Sequence, residues 1–229
     1  MIGSIIFLII LAVIIYLILK FIKKVISIVL SFIVLLILIS SMFLFLVYTD
    51  YRDFRTGAAE KNSVLLVSDG PNYVAGGYIN ITGSETFNTA IPIEDINSVN
   101  NMTYSEILGD NYKLFIIDLS FYEKNLPQTP NYDSYTIPKN GILNTIRSQD
   151  PKQEYASLIN IPKGAITQGP NELKFKLALG SLGSILKDKG KIIIIQGYKD
   201  NEILVYKNTL LFKLAKILPN TYINKYIGN

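Results

Sequence analysis

A chain of 229 residues that is 49% hydrophobic and 17% charged, with no Cys, no His and no Trp, excludes several chemistries at once. It can hold no disulfide, no Cys/His zinc site, no thiol nucleophile and no imidazole base. The formal charge of +4 is small and 19 of the 22 basic residues are lysines, so no nucleic-acid surface is expected, while a mean hydropathy of +0.31 excludes disorder and points to a membrane.

The hydrophobicity is concentrated at the N-terminus. Residues 2–19 and 25–48 carry no charge. At about 1.5 Å per residue the two runs reach about 27 and 36 Å, against a hydrocarbon core of about 30 Å. Between them lie Lys20, Lys23 and Lys24. Each lysine costs about 3 kcal/mol at the bilayer centre, so residues 20–24 are expected to turn at a headgroup surface between two antiparallel spans. A cleaved signal peptide fits poorly, because the first run lacks a basic start and a small-residue cleavage site. An interfacial helix fits poorly too, because that run is apolar on all faces.

Phe43, Phe45, Tyr48, Tyr51 and Phe54 resemble an aromatic belt at the exit of the second span. Ser27 and Ser31 share a helix face suited to packing or to a hydrogen bond. The lysine turn favours the cytoplasmic side, which places both termini and the following domain outside. Arg52, Arg55 and Lys61 argue the other way. The sequons at Asn80 and Asn101 are compatible with an external, glycosylated domain.

Residues 50–61 read as a polar linker and 62–229 as one α+β domain with helices on one face of its sheet. In chain order, Val64–Ser68 is a buried strand, and Asp69-Gly70-Pro71-Asn72 turns it into a partner at Gly76–Thr82. Thr103–Gly109 begins as a helix and Leu114–Leu119 is a strand. Residues 121–140, with three prolines and three tyrosines, form an irregular excursion. Gly141–Ile159 is helical with an interruption at Pro151, and Pro170 opens a helix ending near Gly190. Lys191–Gln196, with four consecutive isoleucines, reads as a central strand in a hairpin with Glu202–Tyr206. A terminal helix occupies Lys207–Leu218, followed by the aromatic tail Tyr222–Ile227.

Candidate chemistry is sparse. Ser184 and Lys187 form a Ser-x-x-Lys pair, one helical turn apart, in which lysine can activate serine. The accompanying Lys-Thr-Gly is absent, and the pair sits at an ordinary basic helix end. Asp118 ends a strand, where catalytic carboxylates and turn caps both occur. Gly180 and Gly183 read as close helix packing rather than a phosphate cradle. No metal site or cofactor is expected.

Tyr122, Tyr132 and Tyr135 on the excursion are candidate contact anchors, as are Lys213 and Lys216 on the terminal helix. The sequence therefore predicts a two-span membrane protein acting as a non-enzymatic structural or binding subunit of a membrane or envelope assembly. Its partners are the bilayer and another protein. The alternatives are a membrane-bound hydrolase using Ser184/Lys187 or Asp118, and a cytosolic adaptor.

Overall fold

Val64–Val67 is apolar at every position because it is buried on both faces. Leu65 and Val67 enter one hydrophobic cluster, while Val64 and Leu66 enter another on the opposite side. The computed structural model describes residues 2–81, 87–132, 135–190 and 192–219. Contacts divide the chain into two units, Met1–Thr49 and Asp50–Asn229.

The N-terminal element is one helix, α1 (Ile2–Glu60), of 59 residues. Its stretch Val13–Asp50 contains an 18-residue window with a mean hydropathy of 3.0 that is not buried. The turn expected at residues 20–24 is not formed, because helix runs through all three lysines. No Gly or Pro lies between residues 4 and 56, so nothing in the local backbone breaks the helix. The expectation rested on excluding lysine from hydrocarbon, a solvation argument that the backbone does not enforce. Ser31 donates to the Ser27 carbonyl oxygen of its own helix at 2.9 Å. Residues 50–60, expected as a linker, are helical as well. The side chains of Tyr51 and Phe54 lie outside the described ones.

In the second unit, β1 (Ser63–Asp69) turns through Gly70-Pro71 into the antiparallel β2 (Asn72–Ile81). Gly70 takes φ 61°, which a two-residue hairpin turn favours at this position. An edge strand β3 (Phe87–Pro92) pairs with β2. Two short helices, α2 (Ile96–Val99) and α3 (Tyr104–Leu108), then lead to β4 (Leu114–Asp118), which lies parallel to β1. Thr103 and Glu106 form a reciprocal capping box at the start of α3.

The predicted excursion has more order than its prolines suggest. It contains α4 (Leu119–Asn125) and a small ladder of β5 (Asn131–Tyr132) with β6 (Tyr135–Thr136). Helices α5 (Lys139–Arg147) and α6 (Pro151–Ile159) are separated where expected, with Pro151 at the first turn of α6, the position that needs no N–H. Next comes α7 (Pro170–Lys189).

The isoleucine run is not a strand. It forms α8 (Ile192–Lys199), and the strand after it, β7 (Ile203–Tyr206), pairs antiparallel with β4 at the sheet edge. Gly197 permits this, since a Cβ there would stand 2.8 Å from both Phe121 and Ile203. Last is α9 (Leu210–Ile217), packed on α8 through an edge-on contact between Tyr198 and Phe212. The aromatic tail lies outside the described residues.

The sheet order is thus β3-β2-β1-β4-β7. The main core, with Phe115, Ile117, Phe121 and Phe175, fills the face under α4–α8. The second cluster, with Leu114, Ile116, Ile96 and Leu108, lies on the other face under α2 and α3. Helices therefore cover both faces rather than the expected one, and the second cover is the smaller.

The Tyr112 hydroxyl donates to Asp53 Oδ2 at 2.9 Å. Lys113, only 2% exposed, donates to the Lys207 carbonyl oxygen at 2.9 Å and lies 4.7 Å above the Tyr112 ring.

Candidate functional site

Side chains alternate along each strand, so pairing register arranges the second face in layers. Leu114 pairs with both Val64 and Tyr206. Ile116 joins Leu66 and Leu204, and Asp118 pairs with Ser68. The apolar layers thus give way to polar groups at the C-terminal ends of the parallel strands β1 and β4. There an open cleft of about 450 Å³ forms between the first hairpin and the α8–β7 turn. In open sheets with parallel strands this end is where ligands enter.

The cleft has an apolar floor of Ile116 and Leu204, a wall of Tyr73 and Tyr104, and a rim of Ser68, Asp118, Ser120, Asp200, Asn201 and Glu202. Asn100 Oδ1 accepts from the Tyr73 backbone N–H at 2.7 Å, which fixes the tyrosine strand against α2. Tyr104 packs at a tilt on Tyr206, with ring centroids 5.7 Å apart. Burial raises the Tyr73 phenol above its ordinary pKa, with a further rise from the hydroxyl of Tyr104.

Asp118 occupies the N-cap of α4. Its Oδ1 accepts from the Ser120 N–H at 2.9 Å and its Oδ2 from the Ser68 hydroxyl at 3.3 Å. Opposite, Lys124 of α4 pairs with Asp200 at 2.8 Å and Glu202 at 3.1 Å, and these two bonds raise the Lys124 ammonium pKa. Arg147 bridges Asp69 and Glu123 nearby, tying α5 to β1 and α4. Among the described residues, no group of three His, Cys, Asp or Glu side chains is placed to hold a metal ion.

Of the candidates read from sequence, Asp118 alone lines this cleft. Ser184 is half-buried and Lys187 exposed on α7, and among the described residues no hydrogen bond joins them. Tyr122 is fully buried in the main core, against its expected role as a loop anchor, because residues 119–125 are helical and turn it inward. Tyr132 and Tyr135 are register partners in the β5–β6 ladder, and their side chains lie outside the described ones.

Lys213 and Lys216 are exposed on α9, where Lys216 donates to Asn201 Oδ1 at 3.0 Å and stands 4.8 Å over Tyr198. Asn101 is exposed after α2, whereas Asn80 is half-buried within β2 and Thr82 of its sequon lies outside the described residues. Gly180 is exposed and a Cβ at Gly183 would meet open space, so close packing does not explain this pair.

Sequence reasoning missed Ser68, Tyr73, Tyr104 and Glu202. The available signal was the polar end of each buried strand, Ser68-Asp69 and Asp118, with Ser120 just beyond. No family model, curated protein or solved structure matches this chain.

Proposed function

We propose that the chain is a membrane-anchored binding subunit whose domain takes a ligand or a partner's side chain into the cleft at the ends of β1 and β4. The observation that carries this reading is the break in cover on the second face. Two buried apolar layers end at a third layer of serine, carboxylate and tyrosine open to solvent. A concave site with an apolar floor and a few convergent polar groups is the form that binding sites take. A photo-crosslinking residue at Leu204, in chain kept in its native membranes, should trap an adduct that the same residue at Glu154 on α6 does not. No adduct at Leu204, or the same adducts at both positions, would refute the cleft as a binding site.

Anchoring rests on α1. Its 38-residue stretch Val13–Asp50 holds an 18-residue window of mean hydropathy 3.0 that is not buried, a pattern suited to lipid. The runs 2–48 as one straight helix would extend about 70 Å, over twice the hydrocarbon thickness of about 30 Å. In a bilayer the helix breaks at Lys20–Lys24, giving two antiparallel spans with the domain outside the cytoplasm. Cysteines substituted singly at Gly3 and Thr56 test this in a chain that has none of its own. Both should react with an impermeant maleimide on intact cells. Reaction of both only after lysis would reverse the side, and reaction of one only would reduce the anchor to a single span.

A further inference from the structure

The cleft's chemistry narrows what it takes, if the cleft is the binding site proposed above. Three carboxylates, Asp118, Asp200 and Glu202, line it. One ammonium, Lys124, answers two of them. Among the described residues, Asp118 is held by neutral donors, the Ser120 N–H and the Ser68 hydroxyl. Two bonds leave about half of a carboxylate's four acceptor sites open. A neutral polyol would leave that charge uncompensated, and an anion would be repelled. Tyr73 and Tyr104 line the same cleft, and a tyrosine face attracts cations. We infer that the cleft binds a small ligand bearing an ammonium group, with Asp118 as its counter-charge, tyrosine rings beside the cation and the ligand's apolar body on Ile116 and Leu204.

Benzylamine and benzyl alcohol share a body and differ in the ammonium, so titration calorimetry of the full chain in detergent micelles separates charge from shape. Benzylamine should bind about tenfold tighter than the alcohol, the scale of one charge-assisted bond. D118N should remove about that tenfold while keeping the helix cap, because Asn caps as well as Asp. Tyr104→Leu should weaken the amine more than the alcohol, and S184A, on α7 away from the cleft, should change neither. Equal binding of amine and alcohol, unaltered by D118N, would overturn the charge selection and leave the cleft standing as a binding site. Binding of glucose in place of benzylamine would overturn it in favour of a polyol, and no binding by any probe would overturn it outright. The crosslink at Leu204 reports on the cleft reading separately, since it requires no particular ligand charge.

Discussion

Gly77 sits on β2 where Phe175 of α7 reaches the sheet, and replacing it with alanine tests the main core directly. A Cβ at this position would lie 2.4 Å from Phe175 Cε1, 2.5 Å from its Cζ and 2.6 Å from the Ile91 carbonyl oxygen. Phe175 is fully buried, so its ring has no solvent to swing into. The Ile91 oxygen belongs to the neighbouring strand, and moving it strains the ladder that pairs Gly77 with Pro92. Overpacking of this kind costs about 2–3 kcal/mol, offset by about 0.5–1 kcal/mol from the stiffer unfolded chain. The net loss of about 1–2.5 kcal/mol corresponds to a fall in Tm of about 2–10 °C for a domain of this size. Gly183 on α7 gives the opposite sign, because nothing lies within 4 Å of its Cβ position. G183A should gain about 0.5–1 kcal/mol. The readout is thermal unfolding of the full chain in detergent, followed by tyrosine near-UV circular dichroism. Phe175→Leu should cost less in the G77A background than alone, because the smaller side chain relieves the clash. A G77A protein that unfolds within a degree of the parent would refute the packing at α7 and β2.

The other predictions concern α8 and the foot of α1. Ile193 is 7% exposed whereas Ile195 is half-buried, so Ile193→Ala should lose about 2–4 kcal/mol and Ile195→Ala clearly less. In a strand the two side chains would share a face, so equal losses would restore the strand reading of this run. Burial first, then the hydrogen bond to Asp53, raises the Tyr112 phenol far above its ordinary value. Its contribution is therefore complete below about pH 10 and lost as the pH climbs beyond, where the unfolded chain ionises and the folded one does not. Tyr112→Phe should flatten that alkaline decline in urea midpoints between pH 9 and 11.5, and an unchanged slope would refute it. Burial lowers the Lys113 ammonium, against the pull of Asp50 and Asp53. Stability from this group thus rises with pH up to about 10.5. Lys113→Met should remove that rise, and a steeper one would contradict the burial.

The fold was legible in sequence where a local cause fixes local structure. Pro151 had to interrupt a helix, Asp69-Gly70-Pro71-Asn72 had to turn a hairpin, and Thr103–Gly109 had to begin as a helix, and each does. The reading failed where partners far along the chain decide. Four isoleucines favour a strand by propensity, but a short apolar run has no period that separates strand from buried helix. Here Gly197 lets the segment approach Phe121 and Ile203, and β7 takes the place beside β4. Tyr122 failed for the same reason. The prolines around it signalled a loop, while Asp118 caps a helix that directs the ring into the core.

The cleft depended on a fact of a different order. Ser68, Asp118 and Glu202 are separated by 50 and 84 positions, and no motif spacing links them. They meet because β1 and β4 run parallel in a register that sets Ser68 beside Asp118, and because the Asp118 N–H donates to the Glu202 carbonyl oxygen at 2.9 Å. A slip of one residue in either pairing would turn its side chains to the opposite face and close the site with isoleucine. Asp118 was visible as a strand-end carboxylate, but the donors that hold it were not. Lys124 bonds Asp200 and Glu202, and among the described residues the donors to Asp118 are the Ser120 N–H and the Ser68 hydroxyl. The same geometry predicts that Lys124→Ala, which frees two further carboxylates at the rim, tightens benzylamine binding severalfold at low salt, an effect that fades as screening grows. Weaker binding in that variant would mean that the lysine shapes the cleft rather than limiting its charge.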